Sequence, residues 1–510
     1  MRNMTLINMA EACGGRLVLP REWGESGVAY PSGHAGAVEA GASSDDGPAA
    51  VLAAEAAGVV LDSRQVEKGF VFIAARGERV DGHRFIPEVF EKGALGVVCE
   101  KLPESITGPC ILVEDSFHAL QRIGEFYRCQ FPVTVVGITG SVGKTSTKEF
   151  VASVLARRFR VHKTRGNYNN EVGVPLTVLS MPEDTQAAVL EMGINHFGEM
   201  RRLSRIARPD ICVMTNIGQC HLEFLGSRQG ILKAKSEIFD FMKEDGFVCV
   251  NGDDDMLSSI REVKGRRPVR FGLNERAEND LYATDIKSLG LLGSEAVIHV
   301  RPGIFSPDIS CADSLSDREK EKGEWSFPVH IPLPGGHMVY NALAAAAVGL
   351  HLGLSAEEIA EGIARVEGVS GRSHIIKAGD KLLIDDCYNA NPVSMEAAID
   401  LLGQAEGRRV AVLGDMFELG KEERALHARV GRYAAEHGVD CLICVGELSR
   451  SMYEEAQRAG SLSALVYFPD RESLLRELES LLLPGDTVLI KASHGMGFEQ
   501  VVERLSGRNT

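Results

Sequence analysis

The chain has 510 residues, too many for one hydrophobic core, so two to four domains are expected. Hydrophobic residues make up 44% and charged residues 25%, the balance of an ordinary globular protein. Fifty-five Lys and Arg against 71 Asp and Glu leave a net charge of −16, which excludes a broad nucleic-acid surface but not a local cationic pocket for a small anion.

Residues 24–57 are rich in Gly, Ala and Ser and are expected to form a surface loop or insertion. Order resumes at VVLDSRQVEKGFVFIAARG, where two short β-rich runs flank a turn. HRFIPEVFEKGA reads as a helix and LGVVCE as a strand. These make a small α/β domain over residues 1–129. The next unit, residues 130–371, opens at FPVTVVGITG with a buried-type strand over 133–138. KTSTKEFVASVLARR follows as a helix, with Phe150, Val151, Val154 and Leu155 at helical spacing. AAVLEMG and DICVMTNIG read as further strands with helices between, which implies a mostly parallel sheet. Residues 302–326 are polar and turn-rich, an insertion in a hairpin or loop. GGHMVYNALAAAAVGLHLGL is a long helix, and Ser355 with Glu358 forms a capping box opening the next one. Residues 372–510 carry strands at KLLID, RVAVLGD, CLICVG, LVYF and DTVLIK separated by helical stretches, a second doubly wound domain. The fold class is therefore α/β.

No stretch reaches about 18 consecutive apolar residues, so no membrane insertion is expected. The opening MRNMTLINMAEACGG lacks an apolar signal core, which points to a cytoplasmic location. Eleven cysteines are scattered. Cys441 and Cys444 form a CxxC inside DCLICVG, where a strand would turn them to opposite faces, so they read as buried small residues.

The motif Gly137-Ile-Thr-Gly140-Ser-Val-Gly143-Lys144-Thr145 lies between a strand and a helix. Glycines let backbone N–H groups converge on phosphate oxygens, and the helix adds its positive end. Residues Gly140, Ser141, Val142, Gly143, Lys144, Thr145 and Ser146 are thus expected to hold nucleotide. Lys144 would reach the β- and γ-phosphates and the Thr145 hydroxyl would sit on Mg²⁺. The strict phosphate-loop pattern has Gly where this chain has Ile138.

GITGSVGKTSTKEF resembles the phosphate loop of the Mur ligases, ATP-dependent enzymes that build the peptide stem of peptidoglycan. TRGNYNNEVGVPLTVL, VLEMGINHFGEM, TNIGQCHLEFLGS, AKSEIF, DDCYNANPVSMEAAI and VLGDMFELG extend the resemblance collinearly over about residues 59–500. They match the branch that adds D-alanyl-D-alanine to UDP-N-acetylmuramoyl-tripeptide. The resemblance implies three domains: a UDP-substrate domain, a central P-loop ATPase domain and a Rossmann-like C-terminal domain. It implies ATP and two Mg²⁺ as cofactors, an acyl-phosphate intermediate and action as a monomer.

Site residues follow from the same match. Glu191 ends an apolar strand, where carboxylates of parallel sheets face the active site, and the family places a Mg²⁺ ligand there. His221 fits the second metal position. Lys235 fits a lysine that related ligases carbamylate, turning a cation into a carboxylate for a second Mg²⁺; neighbouring Lys233 competes for that role. Asn216 would orient phosphate or nucleotide. Asn341 is the adenine candidate, one turn from Met338, where the family has Asn. Arg372 would bring positive charge toward the γ-phosphate, and Asp386, Tyr388, Asn389 and Asn391 would line the nucleotide and substrate. Asp385 adjoins Asp386 and should serve a different role. Lys491 is a candidate for a substrate carboxylate or phosphate, although Ala492 replaces the family's glycine. Ser63 and Arg64, with Gly77, Asp81 and His83, match the uridine-nucleotide region. Asn167, Asn169 and Asn170 would face the acceptor's sugar and peptide.

Two other readings stay open at this level. A sister ligase, adding the third stem residue or polyglutamate to folate, shares the phosphate loop and metal positions. NANP after Tyr388 and the DSR motif argue against both. A nucleotide switch that makes no product needs only the loop, and has no use for Glu191, His221 and Lys235 together.

Overall fold

The computed structural model describes residues 1–20, 23, 48–77, 80–218, 222–275, 278–303, 305 and 324–507. They form two compact units, one from residues 1–148, 158–250 and 254–268, the other from 149–157, 251–253 and 269–510.

In the first unit, helix Leu6–Cys13 starts where the Thr5 hydroxyl accepts the Asn8 N–H and stops at left-handed Gly14. Five strands follow: β1 (Arg16–Val18), β2 (Gly58–Val60), β3 (Phe70–Ala74), β4 (Gly96–Cys99) and β5 (Cys110–Leu112). Their order is β1-β5-β4-β3-β2, with only β1 antiparallel to its neighbour. Helix Pro48–Ala53 corrects the end of the loop expected over 24–57, because its Leu52 is buried in the core. Residues 24–47 lie outside the described residues. HRFIPEVFEKGA forms a 3₁₀ turn, Gly82–Phe85, and then helix Ile86–Glu91.

The same unit holds β6 (Thr134–Thr139), β7 (Val161–Lys163), β8 (Ala187–Glu191), β9 (Ile211–Met214) and β10 (Phe247–Asn251), in the order β10-β9-β6-β8-β7. Every neighbouring pair is parallel. β8 and β9 are buried at every residue, as strands covered on both faces must be. The carboxyl ends of β8, β6 and β9, adjacent in the sheet, put Glu191, the phosphate loop and Thr215–Asn216 along one edge.

The second unit begins with β11 (Val269–Gly272), β12 (Leu281–Ser288), β13 (Ser294–Val300) and β14 (Trp325–Ile331). β11 is parallel to β12, while β12, β13 and β14 are antiparallel. Residues 304 and 306–323 of the expected insertion lie outside the described residues. Its last two, Trp325 and Ser326, already belong to β14, so the connection joins the strands of a hairpin. Helix Met338–His351 is buried along most of its length. The Ser355–Glu358 capping box is present, with bonds of 3.2 and 2.8 Å, and opens helix Ala356–Ala364.

The C-terminal sheet contains β15 (His374–Ala378), β16 (Lys381–Asp385), β17 (Arg409–Gly414), β18 (Cys441–Val445), β19 (Ala464–Phe468) and β20 (Thr487–Lys491). Its order is β15-β16-β20-β17-β18-β19, parallel except for the β15–β16 hairpin. Cys441 packs in the core on one face and Cys444 in the core on the other. Among the described residues, no helix is long and apolar enough to cross a membrane.

Candidate active site

The phosphate loop leaves β6 and enters helix Lys144–Leu155. A Cβ at Gly140, where φ is 155°, would meet Thr215 Oγ1 at 2.0 Å, so only glycine lets the loop pass the end of β9. The tip is tied to the residues after β9. Asn216 Oδ1 accepts the Val142 N–H at 2.9 Å, and its Nδ2 donates to the Val142 carbonyl at 3.1 Å. Thr215 Oγ1 donates to that carbonyl at 2.6 Å. Ser141 donates its N–H to the Asn216 carbonyl at 3.0 Å, and its hydroxyl accepts the Gly218 N–H at 2.9 Å. Lys144 Nζ donates to the Gly140 carbonyl at 3.0 Å, and Thr145 is buried in the first helical turn beside Ser146. The N–H groups and positive end of a helix start favour an anion here.

Glu191 lies opposite Ile138 in the β6–β8 ladder, two residues before Gly140. Its side chain is 1% exposed. Its N–H donates to Thr164 Oγ1 at 3.0 Å, and its Oε1 accepts Asn169 Nδ2 at 2.7 Å. Its Oε2 is buried without a hydrogen-bond donor, 3.9 Å from Lys148 Nζ. Lys148 in turn donates to the Thr164 carbonyl at 2.7 Å. A buried carboxylate oxygen with no donor is costly, and such groups are commonly satisfied by a cation. The donor set of Glu191 with the Thr145 hydroxyl fits Mg²⁺, which takes one or two carboxylates and fills its shell with phosphate and water. His221 lies outside the described residues. Among the described residues no three His, Cys, Asp or Glu side chains gather as a metal cluster.

Lys235 and Lys233 are separated by burial. On helix Arg228–Ser236, Lys235 is 1% exposed while Lys233 faces solvent. Of the three asparagines, Asn167 is exposed and Asn169 is committed to Glu191. Asn170 Oδ1 accepts the N–H groups of Val172 and Gly173 at 3.2 and 2.8 Å, opening helix Gly173–Leu179.

In the second unit, the Arg372 guanidinium lies 4.0 Å over the Tyr388 ring. Asp386 Oδ2 pairs with Lys491 Nζ at 2.6 Å and its Oδ1 accepts the Ser373 N–H at 2.9 Å. Lys491 also donates to the Asn389 carbonyl at 2.9 Å, so its ammonium is engaged within the loop. Asp385 faces elsewhere: its Oδ2 accepts from Ser370 Oγ and the Gly371 N–H, and the Cys387 thiol, pushed up by burial, sits 3.0 Å from its Oδ1. Asn391 Oδ1 caps helix Pro392–Gly403 through the Ser394 N–H at 2.9 Å, and Asn389 Oδ1 accepts the Ala390 N–H. Asn341, buried, directs its Nδ2 to Met338 Sδ at 3.3 Å.

In the N-terminal region, Arg64 is exposed and pairs with Asp62, whose carboxyl this bond holds down at about 2. Ser63 is buried, and its carbonyl accepts Lys92 Nζ at 2.9 Å. His83 Nδ1 meets Asp81 Oδ1 at 2.7 Å, while Nε2 accepts the Glu100 N–H at 2.9 Å, so Nδ1 carries the proton.

Three family models match in order along the chain. They are the Mur ligase catalytic domain at residues 55–123, the Mur ligase middle domain at 138–349 and the glutamate ligase domain at 371–494. A UDP-N-acetylmuramoyl-tripeptide–D-alanyl-D-alanine ligase of Bacillus subtilis is 37% identical over 456 residues, covering 88% of this chain and 93% of its own. The chain belongs to the Mur ligase family. The Escherichia coli ligase of the same name is 35% identical over 89% of this Mur ligase and 94% of its own length. A crystal structure of MurF from Acinetobacter baumannii superimposes with a TM-score of 0.80 at 31% identity, covering 99% of both chains. A structure of MurF ligase from Thermotoga maritima in complex with ADP has a TM-score of 0.72 at 29% identity, over 88% of this Mur ligase and 97% of that chain. The fold, three Mur ligase domains of α/β type, is therefore that of the family.

Sequence reasoning missed three residues of this Mur ligase's site: Lys148, Thr164 and Thr215. Lys148 had a signal, since it lies four residues after Lys144 and so shares its helix face. The other two are placed only by the sheet.

Proposed function

We propose that this Mur ligase joins D-alanyl-D-alanine to UDP-N-acetylmuramoyl-tripeptide, driven by ATP, in the synthesis of peptidoglycan precursors. The observation that carries the reading is the buried, donorless Glu191 Oε2 beside the phosphate loop, in a chain similar over most of its length to ligases of that name. A carboxylate is a poor acyl donor. Its oxygen attacks the ATP γ-phosphorus and ADP leaves, giving an acyl phosphate. The dipeptide amine then attacks the acyl carbon, phosphate departs and the amine gives up a proton. Both steps concentrate negative charge, so cations and oriented N–H groups are the main requirement.

The loop N–H groups from Gly143 to Ser146 and the Lys144 ammonium would cradle the phosphates, while the N–H groups of Ser141 and Val142 hold the loop to Asn216. Glu191, Thr145, His221 and Lys235 would hold two Mg²⁺, which supply charge neutralisation when bound. Lys235, buried where Lys233 is exposed, is the carbamylation candidate. Arg372 shares the electrostatic task at the γ-phosphate. Asn216, Asn341 and Asp386 belong to the nucleotide site, Asn216 by shaping the loop. Ser63 and Arg64 are assigned to the UDP moiety. Asn167, Asn169, Asn170, Tyr388, Asn389, Asn391 and Lys491 are assigned to the loops that face the substrates. Domains over 1–129, 130–371 and 372–510, a cytoplasmic location and a monomeric state complete the reading.

Incubation with UDP-linked tripeptide, D-alanyl-D-alanine, ATP and Mg²⁺ tests it. A UDP-linked pentapeptide and ATP turnover that requires the dipeptide are expected. Turnover with glutamate or diaminopimelate acceptors and none with the dipeptide would sink the substrate assignment. For Lys235, the test is Lys235→Ala with and without short carboxylates: lost activity, restored in part by the carboxylates, is expected. An active, unsupplemented mutant refutes it.

A further inference from the structure

Asn169, which the sequence assigns to substrate, gives its amide to another group. Its Nδ2 donates to Glu191 Oε1 at 2.7 Å. The loop fixes it there: the Asn169 N–H donates to the Asn167 carbonyl at 2.7 Å, and the Asn169 carbonyl accepts the Gly193 N–H at 2.8 Å. Gly193 also makes room for the amide, because a Cβ at 193 would lie 3.1–3.2 Å from Asn169 Cγ, Nδ2 and Oδ1. Thr164 holds the Glu191 backbone and Lys148 is tied to the Thr164 carbonyl. One carboxylate oxygen thereby accepts a fixed amide hydrogen bond, and the other accepts none, with Lys148 Nζ 3.9 Å away.

We infer that Asn169 is a positioning residue for the metal-binding carboxylate: by occupying Oε1 it fixes the rotation of the Glu191 carboxyl and presents Oε2 alone, as a monodentate ligand, to a divalent cation. This rests on the reading of Glu191 as a Mg²⁺ ligand. Groups that orient a metal ligand in this way are worth 10–100-fold in metal affinity. Monodentate presentation suits a small octahedral cation, whereas a freely rotating carboxylate also offers the bidentate bite that larger Ca²⁺ accepts.

The test titrates Mn²⁺ into the full-length protein without nucleotide and counts free Mn²⁺ by electron paramagnetic resonance. Asn169→Ala is expected to weaken binding about 10–100-fold. Gly193→Ala, which crowds the amide while leaving Asn169 in place, is expected to weaken it measurably but by a smaller factor. Glu191→Gln abolishes it. In turnover assays Asn169→Ala raises the KM for Mg²⁺. Unchanged Mn²⁺ affinity in Glu191→Gln overturns the metal reading and this inference with it. Loss in Glu191→Gln beside wild-type affinity in Asn169→Ala overturns the inference alone. If Asn169→Ala fails to fold, Gly193→Ala decides, and wild-type affinity there rejects the proposal.

Discussion

Lys491 Nζ stands 2.6 Å from Asp386 Oδ2, with the lysine side chain 3% exposed and the aspartate 13%. The pair joins the end of β20 to the loop after β16. Removing one partner leaves the other charged and buried, which typically costs about 3–5 kcal/mol. Lys491→Met should lower the urea midpoint accordingly, and adding Asp386→Asn should recover part of the loss. A single mutant as stable as wild type would show that the pair is not held as described.

The phosphate loop should not tolerate a side chain at 140. Gly140→Ala drives a methyl group into Thr215 Oγ1, and the loop must move away from the end of β9. ADP affinity measured by calorimetry is expected to fall more than tenfold, on the order of 1.4 kcal/mol or more, with the overall fold kept by circular dichroism. Wild-type ADP affinity would contradict the close approach.

Asn391 begins helix Pro392–Gly403 with a reciprocal cap. Asn391→Ala should cost about 1 kcal/mol of stability and Asn391→Asp or Ser much less. If the KM for dipeptide rises in Asn391→Ser while stability holds, the side chain also touches substrate.

His427 should make the second unit sensitive to acid. It is fully buried, and its Nε2 accepts the Met416 N–H at 2.9 Å while Nδ1 bonds the Glu423 carbonyl at 2.7 Å. Burial pulls its pKa below the ordinary value; Glu423 and Asp415 act the other way and Arg424 with burial. The neutral ring is favoured in the fold, so its stabilisation is complete above the unfolded value of about 6.5 and lost as pH falls through the lower folded value. The unfolding free energy should fall between pH 7 and 5, by no more than about 1.4 kcal/mol per pH unit from this one proton, and the melting temperature with it. His427→Gln should flatten that slope, and equal slopes would remove His427 as its source.

Much of the architecture was legible because its strands are buried on both faces. AAVLEMG, DICVMTNIG, CLICVG and DTVLIK read as uninterrupted apolar runs, and each became a parallel strand. β15 was not among the strands read from the sequence; the Gly379-Asp380 turn folds HIIKA back on KLLID as an antiparallel hairpin. Helix Pro48–Ala53 was hidden in an Ala- and Gly-rich stretch whose composition resembles a linker. In the site, the phosphate loop was legible because its chemistry is local in sequence. The partners of Asn216 and Asn169 were not, since they lie 74 and 22 positions away and meet only where β9, β6 and β8 end side by side. Burial likewise separated Lys235 from Lys233, two residues that sequence alone leaves nearly equal.

The clasp of Asn216 and Thr215 on Val142 has a thermodynamic meaning. A glycine-rich loop free in solution would have to give up much of its backbone entropy when a nucleotide arrived, at roughly 1–2 kcal/mol per residue. Here that ordering accompanies folding of the sheet, so the cradle is shaped before any phosphate enters it. Nucleotide should therefore bind with a small entropic penalty and without waiting for the loop to rearrange. Loosening the clasp, as in Asn216→Ala, would move the penalty back into the binding step, where calorimetry would record it as a less favourable entropy.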